Sequence, residues 1–326
     1  MYRFRTTLVR CVATVLLLAA SAIASGQTQF PSKTIRIIIP TSAGGSTDIL
    51  ARYIAERLTH DWGQSAIADN RAGGNGVIAA EELAKAAPDG YTIMITSSAH
   101  IITPLLTPTP FDAINDFTPV STLATSENIL VVNPSLPVHD LKEFIAYAKS
   151  KPGELNYATG GAGTLAHLAG ALFEIMTGVK MQQVPYKSGG PAITDLLGGH
   201  VQLYFAVPIS IMPHIKSGGV RPIAVTGTNR LVALPDVPTF TQAGLPGFDV
   251  KYWYGILAPK GLPQDIATKY ANEIRTILES PEAKQRLVGQ GMDPFVSSPK
   301  DMLALERKET EMYTNIIKTA NIRIQP

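Results

Sequence analysis

The sequence predicts an α/β fold in two similar halves, each a mixed, mainly parallel sheet flanked by helices, with the halves facing each other across a cleft. Three observations carry this. Strand-like and helix-like patterns alternate along most of the chain, as parallel strands joined by crossover helices require. A strand, a glycine loop and a helix follow one another over residues 34–62, TIRIIIPTSAGGSTDILARYIAERLTHDW. The same unit returns from residue 155, where LNYAT runs into Gly160-Gly161-Ala162-Gly163 and a second helix.

The first strand is an apolar run, Ile35, Ile37, Ile38 and Ile39, broken by Arg36. Such a run suits a strand covered on both faces, with Arg36 solvated near its open start. Pro40 stops it, and Gly44 and Gly45 allow tight turns. Ser46, Thr47 and Asp48 are all competent to cap the helix that follows, and capping accounts for Asp48. Leu50, Tyr53, Ile54 and Leu58 then mark one helical face. Residues 65–69 read as a strand, 70–76 as a second glycine-rich loop and 77–87 as a helix closed by Pro88-Asp89-Gly90. Residues 91–96 form a third strand, with Ser97, Ser98 and His100 just past its end. Ligands of open α/β sheets sit beyond the carboxyl ends of strands, where 41–47, 71–76 and 97–100 all fall.

Residues 128–133 are the next strand, and 140–151 a helix ended by Pro152-Gly153. In the second unit, Leu165, Leu168, Leu172 and Met176 share a helical face after the strand 155–159. Strands at 182–185 and 202–205 are followed by helices at 190–197, where Asp195 is also read as a cap, and from Ile209. A short strand at 223–225, a turn-rich stretch at 235–246 and a strand at 252–258 precede two or three helices. The last begins at Ser298-Pro299, a cap with proline in the first helical position. One lobe is expected at 27–126 with 252–326 and the other at 127–251, the chain crossing near 126–131 and 250–254.

Arg3, Arg5 and Arg10 precede an apolar run over residues 12–23, with no acidic residue before Gln27. This reads as a cleavable secretory signal peptide over residues 1–26, and therefore as export. Cys11, the only cysteine, lies inside it, so the mature chain is expected to lack thiols. Losing the three arginines takes the formal charge from +2 to −1. The basic balance of the full sequence thus belongs to the leader, and no patch calls for nucleic acid.

Several chemistries are excluded by motif. The segments 161–166 and 74–79 both match the dinucleotide pattern, but neither has the acidic residue that a ribose needs at the end of the next strand. There is no Gly-Lys-Ser/Thr phosphate loop and no G-x-S-x-G nucleophile elbow. The six histidines show no metal-ligand spacing. A secreted hydrolase of small esters would need a nucleophile and base in register, and none is found. No cofactor, metal or catalytic residue is expected.

What the loops suit is an anion. A helix N-terminus offers unpaired N–H groups and the positive end of a dipole. The 40–48 loop carries no Lys or Arg, so it would hold an anion by backbone and hydroxyl groups. One such loop in each half suits a ligand with a carboxylate at each end. Thr41, Ser42, Ala43, Gly44, Ser46 and Thr47 are the candidates in the first loop. Gly161, Ala162, Gly163 and Thr164 are those in the second. Ser97, Ser98, His100 and His167, with Ser188 and Gly189, are placed to complete the coordination, while Lys187 reads as solvated. Phe205, Ala206 and Val207 would give an apolar wall with no carboxylate for an amine.

Further stretches are similar to the Bug family of periplasmic substrate-binding proteins of tripartite tricarboxylate transporters. They are Ala43-Gly44-Gly45-Ser46-Thr47-Asp48, Ala86-Ala87-Pro88-Asp89-Gly90-Tyr91, Val184-Pro185-Tyr186-Lys187, Thr194-Asp195-Leu196-Leu197-Gly198-Gly199 and Ala233-Leu234-Pro235-Asp236-Val237-Pro238-Thr239. The resemblance covers essentially the whole mature chain. It implies a clamshell of the periplasmic-binding-protein type, a monomer delivering a small organic carboxylate to membrane permease subunits, and ligand loops at 41–47 and 159–164. Here Thr41 and Ser42 add hydroxyls where many relatives have Phe or Ala. Ala206, Val207 and Pro208 stand where many have Asp or Asn. An aromatic dicarboxylate such as terephthalate is therefore expected ahead of citrate or adipate. A sensor lobe for a signalling partner is the other role such a domain can take.

Overall fold

The computed structural model describes residues 30–44, 46–160, 164–186 and 189–322. The leader, Gly45, Gly161, Ala162, Gly163, Lys187 and Ser188 lie outside the described residues. Two sheets form the framework. Among the described residues, the first has six strands in the order Asp293–Pro294, Phe117–Glu127, Lys251–Pro259, Thr92–Ser97, Ile35–Ile39 and Ala66–Asn70, and the second five in the order Gln182–Pro185, Asn156–Thr159, Leu203–Ala206, Ile129–Val132 and Arg221–Val225.

In the first sheet, β1 (Ile35–Ile39) lies parallel to β2 (Ala66–Asn70) on one side and to β3 (Thr92–Ser97) on the other. The crossover helices are α1 (Ser46–Trp62) and α2 (Val77–Ala84). Both faces of β1 are covered, and its four isoleucines are fully buried. Arg36 is not simply solvated as its position suggests. It donates to Asp69 from Nε at 2.8 Å and to Glu82 at 2.6 Å, residues delivered by β2 and α2.

Two elements depart from the sequence reading. The stretch after Ser98 is a helix, α3 (Ala99–Leu106), with Pro104 inside it. Phe117–Glu127 is a strand, β4, eleven residues long. Its small polar residues Ser121, Thr122, Thr125 and Ser126 hide the strand from a search for alternating apolar residues, yet all four are buried. They are covered by the helices Gln264–Glu279 and Pro299–Thr319, which pack on β4, while β10 (Lys251–Pro259) runs between β3 and β4, antiparallel to both. The parallel pairs thus lie in the strand–helix units, and the strands that connect the halves enter antiparallel.

The second sheet begins where the first sheet's strand ends. β4 stops at Glu127 and β5 (Ile129–Val132) starts after Asn128. Asn128 is held by both its donors, the backbone N–H to Thr226 Oγ1 and Nδ2 to the Phe205 carbonyl, each at 2.9 Å. β6 (Asn156–Thr159) is parallel to β7 (Gln182–Pro185) and β8 (Leu203–Ala206). β5 runs antiparallel to β8 and to β9 (Arg221–Val225). Helices α4 (Leu141–Ser150), α5 (Leu165–Thr177), α6 (Gly189–Leu197) and α7 (Pro208–Lys216) complete this half. Gly170 lets α5 close onto its strand, since a Cβ there would sit 2.4 Å from the ring of Tyr157.

After β10, helices α8 (Gln264–Glu279) and α9 (Pro281–Gly289) and the short β11 (Asp293–Pro294) return to the first sheet. The final helix, α10 (Pro299–Thr319), is capped by Ser298, whose hydroxyl accepts from the Asp301 N–H. It packs against α3, β4 and α8 of the first half and against α5 of the second. Among the described residues no helix is long and apolar enough to cross a membrane.

Candidate functional site

The strand ends converge on a cavity of about 720 Å³ between the two sheets. One side is built by the β1–α1 loop, the glycine stretch before α2, the end of β3, and α3 with Phe111. From the other half come Gly160, Thr164 and Tyr186, and Tyr252 on β10 lies at the junction.

Asp48 fixes the first loop. It is 3 % exposed, and it does not cap the helix as read. Its Oδ2 accepts from the Gly44 N–H at 2.9 Å and its Oδ1 from Asn70 Nδ2 at 2.9 Å, while Arg52 donates to both oxygens. Burial pushes this carboxyl up, but the hydrogen bonds from Arg52, Gly44 and Asn70 outweigh it and hold it at about 2. The same Asn70 amide also donates to the Thr41 carbonyl at 2.9 Å. The loop is thereby tied to β2 and leaves Thr41 and Ser42 facing the cavity.

The second glycine stretch contributes more than the sequence reading gave it. Gly74, Asn75 and Gly76 all have positive φ, at 55°, 52° and 95°. A Cβ on Gly76 would press against Pro40 at 3.4 Å, so the stretch nests on the first loop. Gly73, Gly74, Asn75 and Gly76 line the cavity. Tyr252, also missed, accepts the Leu165 N–H at the start of α5 at 3.4 Å and keeps its own hydroxyl hydrogen to donate. Its place in the site depends on an α5 start 87 residues away, a separation that no local signal bridges.

Of the residues expected at the ligand, Thr41, Ser42, Ser97, His100 and Thr164 line this cavity. His100 differs in chemistry from the expectation. The residue is 6 % exposed, and Nε2 donates to the Ala113 carbonyl at 3.0 Å. Burial pushes the imidazole down to about 4 against the help of that bond, so it is neutral and its remaining nitrogen only accepts. It cannot donate to a carboxylate.

The others sit elsewhere. Ala43 and Gly44 are exposed on the loop's outer turn. Ser46 hydrogen-bonds the phenol of Tyr254. Thr47 and Ser98 are buried, and so is His167, which burial also pushes down to about 4. Gly189 packs toward the Tyr204 hydroxyl, and Asp195, well inside α6, accepts from the hydroxyl of Tyr186 at 2.7 Å instead of capping.

Phe205 and Ala206 are fully buried, and they are not an apolar cavity wall. Phe205 lies in a ring cluster with Phe173, Phe240 and Phe248, stacked on the last two at 6.3 and 6.2 Å. On β8 its side chain points into the core of the second half. Val207 precedes α7 at the N-cap position without a side-chain cap, and Pro208 lines a separate cavity with Gly291 and Met292. The apolar wall of the main cavity comes instead from Val77, Ile102, Leu106 and Phe111.

None of the described lining residues is Asp, Glu, Lys or Arg, and no cluster suited to a metal ion occurs among the described residues. Among the described residues, an anion here meets hydroxyls, amides and helix ends, with no cation to neutralise it.

Residues 50–322 match the family model described as tripartite tricarboxylate transporter family receptor. Protein BugT of Bordetella pertussis is 33 % identical over 299 residues, covering 91 % of this chain and 92 % of BugT. The structure of R. palustris Rpa4515 with adipate is 37 % identical with a TM-score of 0.78, covering 90 % of this chain and 99 % of that one. MatC from Rhodopseudomonas palustris, solved with bound malate, is 30 % identical with a TM-score of 0.73, covering 88 % and 100 %. The matching family is one of transporter receptors.

Proposed function

This chain belongs to the tripartite tricarboxylate transporter receptor family, and we propose that, as a periplasmic solute-binding receptor, it captures an aromatic dicarboxylate such as terephthalate in the cavity between its sheets. The observation that carries this reading is a cavity with neutral donors from both halves and no charged lining residue among those described. Thr41, Ser42, Ser97 and Asn75 would hold one carboxylate, and Thr164, Gly160 and Tyr252 the other. Hydrogen bonds to a charged group are worth about 1.5–3 kcal/mol each, enough to hold a carboxylate without an arginine. The absence of a lining Asp or Glu disfavours an amino acid, whose ammonium would find no partner. The wall of Val77, Ile102, Leu106 and Phe111 suits a ring, and a rigid ring loses little entropy on binding.

In this reading 127–251 forms one lobe and 27–126 with 252–326 the other, hinged at Asn128 and at the start of β10. The ligand bridges them, closure traps it, and the closed form delivers it to membrane permease subunits. Residues 1–26 would direct export and be removed. A second reading, an aliphatic dicarboxylate, is favoured by the similarity to a protein solved with adipate.

Isothermal titration calorimetry of the mature chain with terephthalate, phthalate, benzoate, adipate, citrate and glutamate decides. Terephthalate in the micromolar range or tighter, with glutamate silent, is the expected result. Adipate binding alone selects the second reading, and glutamate binding without either dicarboxylate overturns both. Benzoate matching terephthalate removes the second carboxylate site.

A further inference from the structure

Resting on that reading, we propose that the cavity wall formed by α3, Phe111 and Val77 recognises an uncharged substituent on the dicarboxylate — alkyl or halogen — and excludes a third carboxylate there. Leu106 and Phe111 are then specificity-determining residues.

What this wall lacks is a free donor. Ile102 and Leu106 lie one turn apart on α3 and present a single apolar strip. Phe111 extends it, stacked parallel to the His100 ring at a centroid distance of 5.9 Å, and Phe117 closes the back of His100 edge-on at 4.8 Å. Two polar side chains interrupt this wall, His100 and Thr103, and both have their donors engaged inside the protein. His100 gives its N–H to the Ala113 carbonyl at 3.0 Å, and Thr103 gives its O–H to the Asn75 carbonyl at 3.1 Å. Burial keeps the imidazole neutral near pH 7, so no second N–H appears on it.

What the wall offers a guest is therefore carbon surface and acceptor lone pairs. A methyl or chlorine placed there is removed from water at no polar cost. A carboxylate placed there loses its hydration and gains no donor in return. The donors of the lining lie off this wall, on Thr41, Ser42 and Ser97. The cavity is thus polarised, and in a family described by tricarboxylates this member is fitted to two carboxylates and an apolar flank.

The test is a ligand series on one scaffold, measured by calorimetry. Terephthalate is compared with 2-methylterephthalate, 2-chloroterephthalate and trimellitate, which carries a carboxylate at the same ring position. If the aliphatic reading holds, adipate, 3-methyladipate and the 3-carboxy analogue replace them. The methyl and chloro ligands should bind tighter than the parent, by up to about fourfold for one buried carbon. Trimellitate should bind at least about a hundredfold more weakly than the parent. Leu106→Arg, which puts a cation on the wall at a half-buried position, should reverse the order of trimellitate and 2-methylterephthalate. Trimellitate binding as well as the methyl ligand to the wild-type chain overturns the inference while leaving the dicarboxylate site standing. If neither parent dicarboxylate binds, the site reading falls and takes this inference with it.

Discussion

Replacing Glu306 by Gln should make the protein more stable at mildly alkaline pH, because α10 buries two carboxyls that the fold keeps protonated. Glu306 and Glu309 are 1 % and 6 % exposed. Glu306 Oε1 has no hydrogen-bond partner, and Glu309 Oε2 accepts from Trp253 Nε1 at 2.8 Å. Burial, and then the charge of Glu309, pushes Glu306 up to about 8. Burial outweighs the Trp253 bond and the nearby Lys251 and lifts Glu309 to about 7.

In the unfolded chain both ionise near pH 4.5. Between that value and about 8 the folded state binds protons that the unfolded state has released, so stability falls as pH rises. His100 and His167, held down near 4, act with the opposite sign only below their ordinary value of 6.5. Over the interval from pH 6.5 to 8.5 the histidines are largely neutral in both states and the two glutamates carry most of the slope, with the burial of Glu127, Glu174 and Asp293 acting in the same direction. At about 1.4 kcal/mol per pH unit and proton, the loss across it is about 2–3 kcal/mol, mostly from Glu306. Glu306→Gln cannot ionise and removes the charge beside Glu309, so its loss should shrink below about 1 kcal/mol. Urea unfolding followed by tryptophan fluorescence at pH 6.5, 7.5 and 8.5 reads both slopes. A wild-type stability that is flat or rising over this range, or a variant as steep as wild type, would refute the reasoning.

Three further outcomes are expected. Asp48→Ala removes the acceptor shared by Gly44, Asn70 and Arg52. It should cost about 2–4 kcal/mol in urea unfolding and weaken ligand binding by loosening the Thr41–Ser42 turn; stability within about 0.5 kcal/mol of wild type would show that the loop is held otherwise. The same carboxyl, held at about 2 when folded, supports the fold at pH above its ordinary 3.8, and that support should fade as pH drops toward 2. Phe205→Ala should cost about 3–5 kcal/mol by opening the phenylalanine cluster. It should leave the order in which carboxylates bind unchanged, and a reordered series would return Phe205 to the cavity wall.

Much of the site could be read from the chain because glycine loops and hydroxyls are local signals. Thr41, Ser42 and Ser97 follow strands whose ends are visible in the sequence, and Thr164 follows the repeat of the same unit. Asn75 and the glycines around it lie in a loop whose position at the strand ends was also legible. Its role as cavity lining was not, since nothing local shows that Gly76 rests on Pro40. Phe205 failed for a related reason. On a strand covered on both faces, an apolar run does not reveal which face meets a cavity and which meets the core.

The sequence by itself determined the alternation of strands and helices, the two loop-and-helix units, and a first glycine loop without Lys or Arg. Those properties rest on near neighbours: caps, turns and spacing along one element. Tertiary structure decided which surfaces face the ligand. β10 carries the polar strand β4 into the first sheet, where α8 and α10 cover it. Arg36 is paired by Asp69 and Glu82, 33 and 46 residues away. Tyr252 meets the start of α5 across the junction, and α3 with Phe111 forms the wall assigned in the sequence to Phe205. Each of these depends on contacts between residues far apart in the chain, whose partners are chosen by packing and not by local propensity.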